Sequence, residues 1–162
     1  MILVALGSNQ NGPWGTPRET VTRAIAMLDR DGFHLIAASR LIESRPFGKL
    51  NQPPFVNAVA RVVCHAPADA VMRKLHAIER AAGRRRIERW GPRTLDLDLL
   101  DYHGRVTRPG SRLRLPHPGI AERIFVLKPI AEIAPRWKHP VSHRSACQLL
   151  RHLAADGEGG EI

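Results

Sequence analysis

Residues 94–99 read Thr-Leu-Asp-Leu-Asp-Leu, an unbroken alternation of apolar and polar side chains. Laid out as a strand, this segment turns Leu95, Leu97 and Leu99 to one face of a sheet and Asp96 and Asp98 to the other. Aspartate is poorly suited to strands, and two carboxylates two residues apart on one face repel each other. A fold built on this strand therefore needs a core under the leucines and positive charge over the aspartates.

The periodicities around it supply the rest of the architecture. Residues 2–6 read as a short buried strand that Gly7-Ser8-Asn9 ends, followed by a loop rich in Gly, Pro and Asn. Val21, Ala24, Ile25 and Leu28 recur at helical spacing within 18–30, and Gly32 stops the pattern. Residues 33–42 are β-prone, 45–54 hold too much Pro and Gly for regular structure, and 55–64 alternate as a strand. Pro67 opens a second helix with a stripe of Val71, Met72, Leu75 and Ile78, and Gly83 closes it. A further helical pattern covers 125–133, and Ser145 and Gln148 have capping-box spacing ahead of a last helix. The order strand, helix, strand, strand, helix, strand predicts an α+β, ferredoxin-like sandwich: a mainly antiparallel sheet with helices packed on it.

The 162 residues suit one domain over 1–162, with the tail from about residue 156 frayed. Two cysteines, Cys64 and Cys147, make no disulfide framework and fit a reducing cytoplasm. The longest apolar run, 1–6, falls far short of the ~20 residues of a membrane span and lacks the flanks of a signal peptide. The unusual quantity is a net charge of +10, which calls for an anionic partner.

Where the cations cluster narrows that partner. Arg84, Arg85, Arg86, Arg89 and Arg93 all fall in the ten-residue stretch 84–93 just upstream of the two aspartates. Alone, such a run reads as a solvated loop or a nucleic-acid patch, and a bare Asp-x-Asp as a solvent-facing strand edge. Together they make a field that is positive around a polyphosphate and negative where its divalent metals sit, which is what phosphoryl transfer requires. An RNA-binding module on the same fold would place two or three aromatics on its central strands within one motif, and no such run occurs. A zinc site from His139, His143 and Cys147 is opposed by Pro140 and Ser142, which argue against one continuous helix.

Arg89-Trp90-Gly91-Pro92-Arg93-Thr94-Leu95-Asp96-Leu97-Asp98-Leu99 resembles the signature of the 6-hydroxymethyl-7,8-dihydropterin pyrophosphokinases, a family of folate-pathway enzymes. Ala5-Leu6-Gly7-Ser8-Asn9, Phe55-Val56-Asn57-Ala58, Ile78-Glu79 and Leu115-Pro116-His117-Pro118 match further pieces of the family in the same order. The similarity extends from Val4 to about Pro135.

The resemblance implies a ferredoxin-like enzyme that transfers pyrophosphate from ATP to the pterin hydroxymethyl group and releases AMP. It assigns two Mg²⁺ ions to Asp96 and Asp98, and catalytic phosphate contacts to Arg84 and Arg93. Pterin contacts fall to Ser44, Phe47, Phe55, Asn57, Trp90 and Phe125, and ATP contacts to His76, Glu79, Arg86, Arg112, His117 and Arg123. His76 stands where many relatives carry glutamine, and Arg45 where many carry proline. The implied partners are the two small-molecule substrates, with no nucleic acid and no membrane. The expected enzyme is a cytoplasmic monomer.

Overall fold

A strand of Ile-Leu-Val-Ala-Leu-Gly-Ser, apolar on both faces, must lie inside a sheet that is covered on both sides. β1 (Ile2–Ser8) does so, buried along almost its whole length. A computed structural model describes residues 1–46, 51–84 and 93–156 of the chain. In chain order, β1 is followed by α1 (Pro17–Met27), β2 (His34–Ala38), β3 (Ile42–Ser44), β4 (Phe55–Val63), α2 (Ala68–Ala81), β5 (Asp96–Tyr102), α3 (Ile124–Ile133) and α4 (Ala146–Ala155). The sheet runs β2-β4-β1-β5, with β3 paired to the other end of β4, and all of these pairings are antiparallel. This is the ferredoxin-like α+β arrangement expected from the order of elements.

The helices start where their caps dictate. Thr16 caps α1 in a box with Glu19: its hydroxyl accepts from the Glu19 N–H, and the Glu19 carboxylate accepts from the Thr16 N–H. Ser145 and Gln148 close the same box on α4. α1 and α2 cover one face of the sheet, where Val21, Leu28, Val71, Leu75 and Ile78 meet Val4, Leu6, Leu95, Leu97 and Leu99. The opposite face is also covered, which the sequence pattern left unassigned: α3 and α4 bring Leu127, Ile130, Trp137 and Leu149 against Leu3, Val59 and Leu100.

Three boundaries differ from the periodicity, each for a local reason. β1 continues through Gly7 and Ser8, so Gly7 is a strand residue rather than a breaker. The β-prone stretch 33–42 divides into β2 and β3 because Ser39 interrupts it. Its backbone N–H donates to the Val59 carbonyl, while its side-chain Oγ, in place of a carbonyl, accepts from the Val59 N–H. β5 begins at Asp96 and carries a bulge, since Leu99 and Asp101 pair with the successive residues Val4 and Leu3.

The bulge delivers Leu100 and Asp101 to the second core. There the Trp137 Nε1–H donates to Asp101 Oδ2 at 2.7 Å, and the Gly104 N–H to Oδ1 at 2.8 Å. Asp101 is only 3% exposed, so removing a donor leaves a buried anion short of a partner. Trp137→Phe is expected to lower the unfolding free energy by about 2–3 kcal/mol. Urea denaturation measures this, and an unchanged midpoint would show that the bond contributes nothing.

Candidate active site

The register of three strands places the side chains of the site. Asn57 on β4 and Asp96 on β5 both pair with Gly7 on β1, and Val59 and Asp98 both pair with Ala5. Side chains at paired positions share a face, so Phe55, Asn57, Asp96 and Asp98 all rise from the α3 side of the sheet. Gly7 keeps the middle of that row open. A Cβ there would stand 3.3 Å from Asn57 Oδ1 and 3.7 Å from Phe55 Cδ1. Above the row lies a cleft of about 310 Å³, lined among others by Ser44, Arg45, Phe55, Asn57, Arg93, Asp96, Asp98, His117, Arg123 and Phe125.

The two acids sit in different surroundings. Asp96 is held by both expected arginines: Arg84 Nη1 lies 2.8 Å from Oδ1, and Arg93 Nη1 donates to Oδ2. Asp98 makes no side-chain hydrogen bond among the described residues. Burial and the neighbouring Asp96 push its carboxyl up to about 6, against the pull of Arg123, Arg93 and Arg84. Behind them Glu79, 4% exposed, accepts from the Leu97 N–H at 2.8 Å and pairs with Arg84. Burial outweighs the Leu97 N–H and the Arg84 charge and raises Glu79 to about 7.

His117 faces the acids from the far wall. Its backbone N–H donates to the Leu100 carbonyl, and its Nδ1 accepts from the Gly119 N–H at 3.1 Å. The ring proton is thereby placed on Nε2, which stands 3.9 Å from Asp98 Oδ2. Burial, reinforced by Arg123 and Arg114, lowers His117 to about 4, so the ring is neutral at pH 7. Arg123 ends its guanidinium over Gly119, where a Cβ would come within 2.8 Å of Cζ. On the opposite wall Asn57 donates from Nδ2 to Ser44 Oγ at 2.7 Å, which turns its Oδ1 towards Gly7.

Of the residues expected from sequence, Ser44, Phe55, Asn57, Arg93, Asp96, Asp98, His117, Arg123 and Phe125 line this one cleft, and Arg84 reaches it through Asp96. Glu79 lies beneath the acids rather than in the cleft wall. His76 and Arg112 are exposed and do not line the cleft. Phe47, Arg86 and Trp90 lie outside the described residues. His139, His143 and Cys147 form no metal-holding group: His139 Nδ1 accepts from the backbone N–H groups of Val141 and Ser142.

Sequence reasoning missed what Asn9 does. Buried at the end of β1, it accepts from the Arg93 N–H through Oδ1 at 2.9 Å and donates from Nδ2 to Gln52 Oε1 and the Pro53 carbonyl. Its backbone N–H also donates to the Arg93 carbonyl. Arg45, known from sequence only as a departure from the family pattern, lines the cleft as well. The signal for Asn9 was the Gly-Ser-Asn cluster, whose turn-like composition masked a strand end used as an anchor.

The model of the family described as 7,8-dihydro-6-hydroxymethylpterin-pyrophosphokinase matches residues 3–135. The chain belongs to this family. The match takes in all five strands, α1 to α3 and the whole cleft. The chain is similar to the 2-amino-4-hydroxy-6-hydroxymethyldihydropteridine pyrophosphokinase of Pseudomonas aeruginosa, with 43% identity over 86% of this chain and 83% of that one. Its counterpart in Haemophilus influenzae is 39% identical over 81% of this chain and 79% of its own. The folic acid synthesis protein fol1 of Pneumocystis carinii is 34% identical over 94% of this chain, which covers 20% of that longer protein.

Proposed function

We propose that this pyrophosphokinase-family chain transfers the pyrophosphoryl group of ATP to the hydroxymethyl oxygen of 6-hydroxymethyl-7,8-dihydropterin, releasing AMP, in folate biosynthesis. The observation that carries this reading is one cleft in which Asp98 and an Asp96 held by two arginines share the lining with Asn57, Phe55 and Phe125. Asn57, its Nδ2 engaged by Ser44 Oγ and the Phe55 carbonyl, offers its Oδ1 as an acceptor to the edge of a flat, amide-like heterocycle, and Phe55 and Phe125 supply faces to stack on. The polyphosphate lies over Asp96 and Asp98 within reach of Arg84, Arg93, Arg123 and His117.

The donors present fit magnesium. Asp96 and Asp98 offer hard carboxylate oxygens side by side, and Asp98 has no hydrogen-bond partner among the described residues, so it is left to meet a cation. No group of three His, Cys, Asp or Glu side chains capable of holding a metal occurs among the described residues. One or two carboxylates, completed by substrate phosphates and water, is the usual way a protein holds Mg²⁺. Two Mg²⁺ ions bound by Asp96 and Asp98 would neutralise the phosphates and polarise the β-phosphorus towards attack.

The chain's own groups do the remaining work. Asn57 and the phenylalanines hold the pterin so that its hydroxymethyl oxygen points at the β-phosphorus. Arg84 and Arg93, which hold Asp96 here, would turn to the phosphate oxygens once Asp96 held a cation, and would stabilise the charge that builds up there in the transition state. His117, with its proton on Nε2, donates a hydrogen bond to a phosphate oxygen. Among the described residues no helix is long and apolar enough to cross a membrane. We read residues 1–162 as one catalytic domain, which acts in the cytoplasm as a monomer.

AMP release from ATP, with and without the hydroxymethyl-dihydropterin, tests the function. Pterin-dependent AMP is the expected result, and ADP or no turnover would refute the assignment. Asn57→Ala is expected to weaken pterin binding by about 1–3 kcal/mol while leaving ATP affinity nearly unchanged. Titration calorimetry with each substrate distinguishes this from a misplaced pocket, in which ATP binding would fall and pterin binding survive.

A further inference from the structure

Arg84 and Arg93 grip the two oxygens of one carboxylate from two separate stretches of chain, so the distance between those stretches decides whether both can reach it. Residues 12 and 13 lie between them. A Cβ on Gly12 would stand 2.8 Å from Thr94 Cγ2, 3.2 Å from Thr94 Cβ and 3.3 Å from the Ala82 carbonyl oxygen. On the next residue, Pro13 packs so closely on Gly83 that a Cβ there would come within 2.6 Å of the proline Cδ. The segment therefore touches the chain on the near side of Arg84, at Ala82 and Gly83, and on the far side of Arg93, at Thr94.

The segment is built to keep its shape. Gly12 and Gly15 exchange backbone hydrogen bonds of 3.0 and 2.9 Å, which closes 12–15 into a small hairpin. Trp14 packs against the first core, with the Arg23 guanidinium 4.7 Å above its ring. Gly15 and Gly83 have positive φ angles of 99° and 81°, which by themselves favour glycine there. Gly12 does not, so at that position the demand for glycine comes from space alone.

We propose that the 12–15 hairpin is a spacer that sets the separation of Arg84 and Arg93, and that Gly12 is a positioning residue for pyrophosphoryl transfer. The inference rests on the functional reading above. A side chain at residue 12 pushes Thr94 away from Ala82, and Arg93 moves with Thr94. One arginine then no longer meets the transferring group in register with the other. Small misplacements of catalytic groups are costly in turnover even where substrate binding survives.

The experiment compares Gly12→Ala, Thr94→Ser and the double variant in the AMP-release assay with ATP saturating and the pterin varied through its KM. Gly12→Ala is expected to lower kcat about tenfold or more while leaving the KM for the pterin unchanged. Thr94→Ser deletes the Cγ2 that the new methyl meets, and the contacts left at 3.2 and 3.3 Å require shifts of only a few tenths of an ångström. In the Thr94→Ser background the loss caused by Gly12→Ala should therefore largely disappear. A merely structural role predicts a lower melting temperature with kcat per folded molecule preserved, and that result would overturn the spacer. So would full turnover in Gly12→Ala, or a loss that Thr94→Ser leaves undiminished. An unsubstituted chain that makes no pterin-dependent AMP would overturn the functional reading itself, and the spacer with it.

Discussion

Asp96→Asn and Asp98→Asn are each expected to remove nearly all pyrophosphoryl transfer while leaving the fold intact. The amide keeps the shape of the side chain and deletes the charge that attracts a divalent cation. Loss of one carboxylate ligand withdraws several kcal/mol of charge stabilisation from the transition state, which corresponds to about 10²-fold or more in turnover. Stability without metal should move the other way for Asp98. Its carboxyl titrates at about 6 in the folded protein, raised by burial and by Asp96. The folded state thus holds its proton more tightly than the unfolded chain. That contribution is complete below the ordinary aspartate range and is lost as the pH rises through about 6. At pH 8 in EDTA, Asp98→Asn escapes the penalty and should melt no lower than the parent. Added Mg²⁺ with a non-hydrolysable ATP analogue should raise the parent's melting temperature and raise either variant's far less. A ligand-free variant that melts well below the parent would make the aspartates structural. Full turnover with full ligand stabilisation would end the metal-site reading.

How much of this site was readable in advance depended on whether a local period or a tertiary contact placed each residue. The Leu/Asp alternation of 94–99 did put the leucines in the first core and the aspartates on the other face, because a period of two survives a shift in strand ends. The same logic carried Phe55 and Asn57 to one face. Gly7 was misread as a strand end, since composition cannot separate a glycine that ends a strand from one that leaves room between Asn57 and Asp96. Ser39 broke a β-prone stretch by substituting its hydroxyl for a carbonyl, which no propensity reports. Asp101 became a core anion only through the bulge and through Trp137, 36 residues away. Glu79 is the instructive case. Val71, Leu75, Ile78 and Glu79 follow the spacing of one buried helical stripe, so its burial was legible, yet the resemblance directed attention to ATP.

That buried position gives Glu79 its own large expected effect. β5 is the outer strand on its side of the sheet, and the Leu97 N–H, pointing away from β1, meets the Glu79 carboxylate from α2 instead of another strand. The same carboxylate pairs with Arg84. Glu79→Ala strips the acceptor from a buried N–H and from an arginine that is mostly enclosed, and should cost about 2–4 kcal/mol at pH 5, a deficit that narrows towards pH 8 as the parent itself weakens. Glu79→Gln keeps an oxygen for the Leu97 N–H and should behave differently. In the parent, burial raises Glu79 to about 7 from an ordinary value near 4.5. A raised carboxyl favours folding while it is protonated, so the contribution is fully present below about 4.5 and is lost as the pH climbs through about 7. Glutamine has no such loss. Relative to Glu79→Gln, the parent should therefore weaken by on the order of 2 kcal/mol between pH 5 and pH 8, at 1.36 kcal/mol for each unit of displacement. Asp98 titrates in both proteins and largely cancels from the difference. Denaturant unfolding of the three proteins across this range in EDTA decides the matter. Parallel profiles for the parent and Glu79→Gln would show that no charge is being forced into the interior. A Glu79→Ala variant unimpaired at pH 5 would show that the outer strand needs no cap, and that β5 holds Asp96 and Asp98 in place without help from α2.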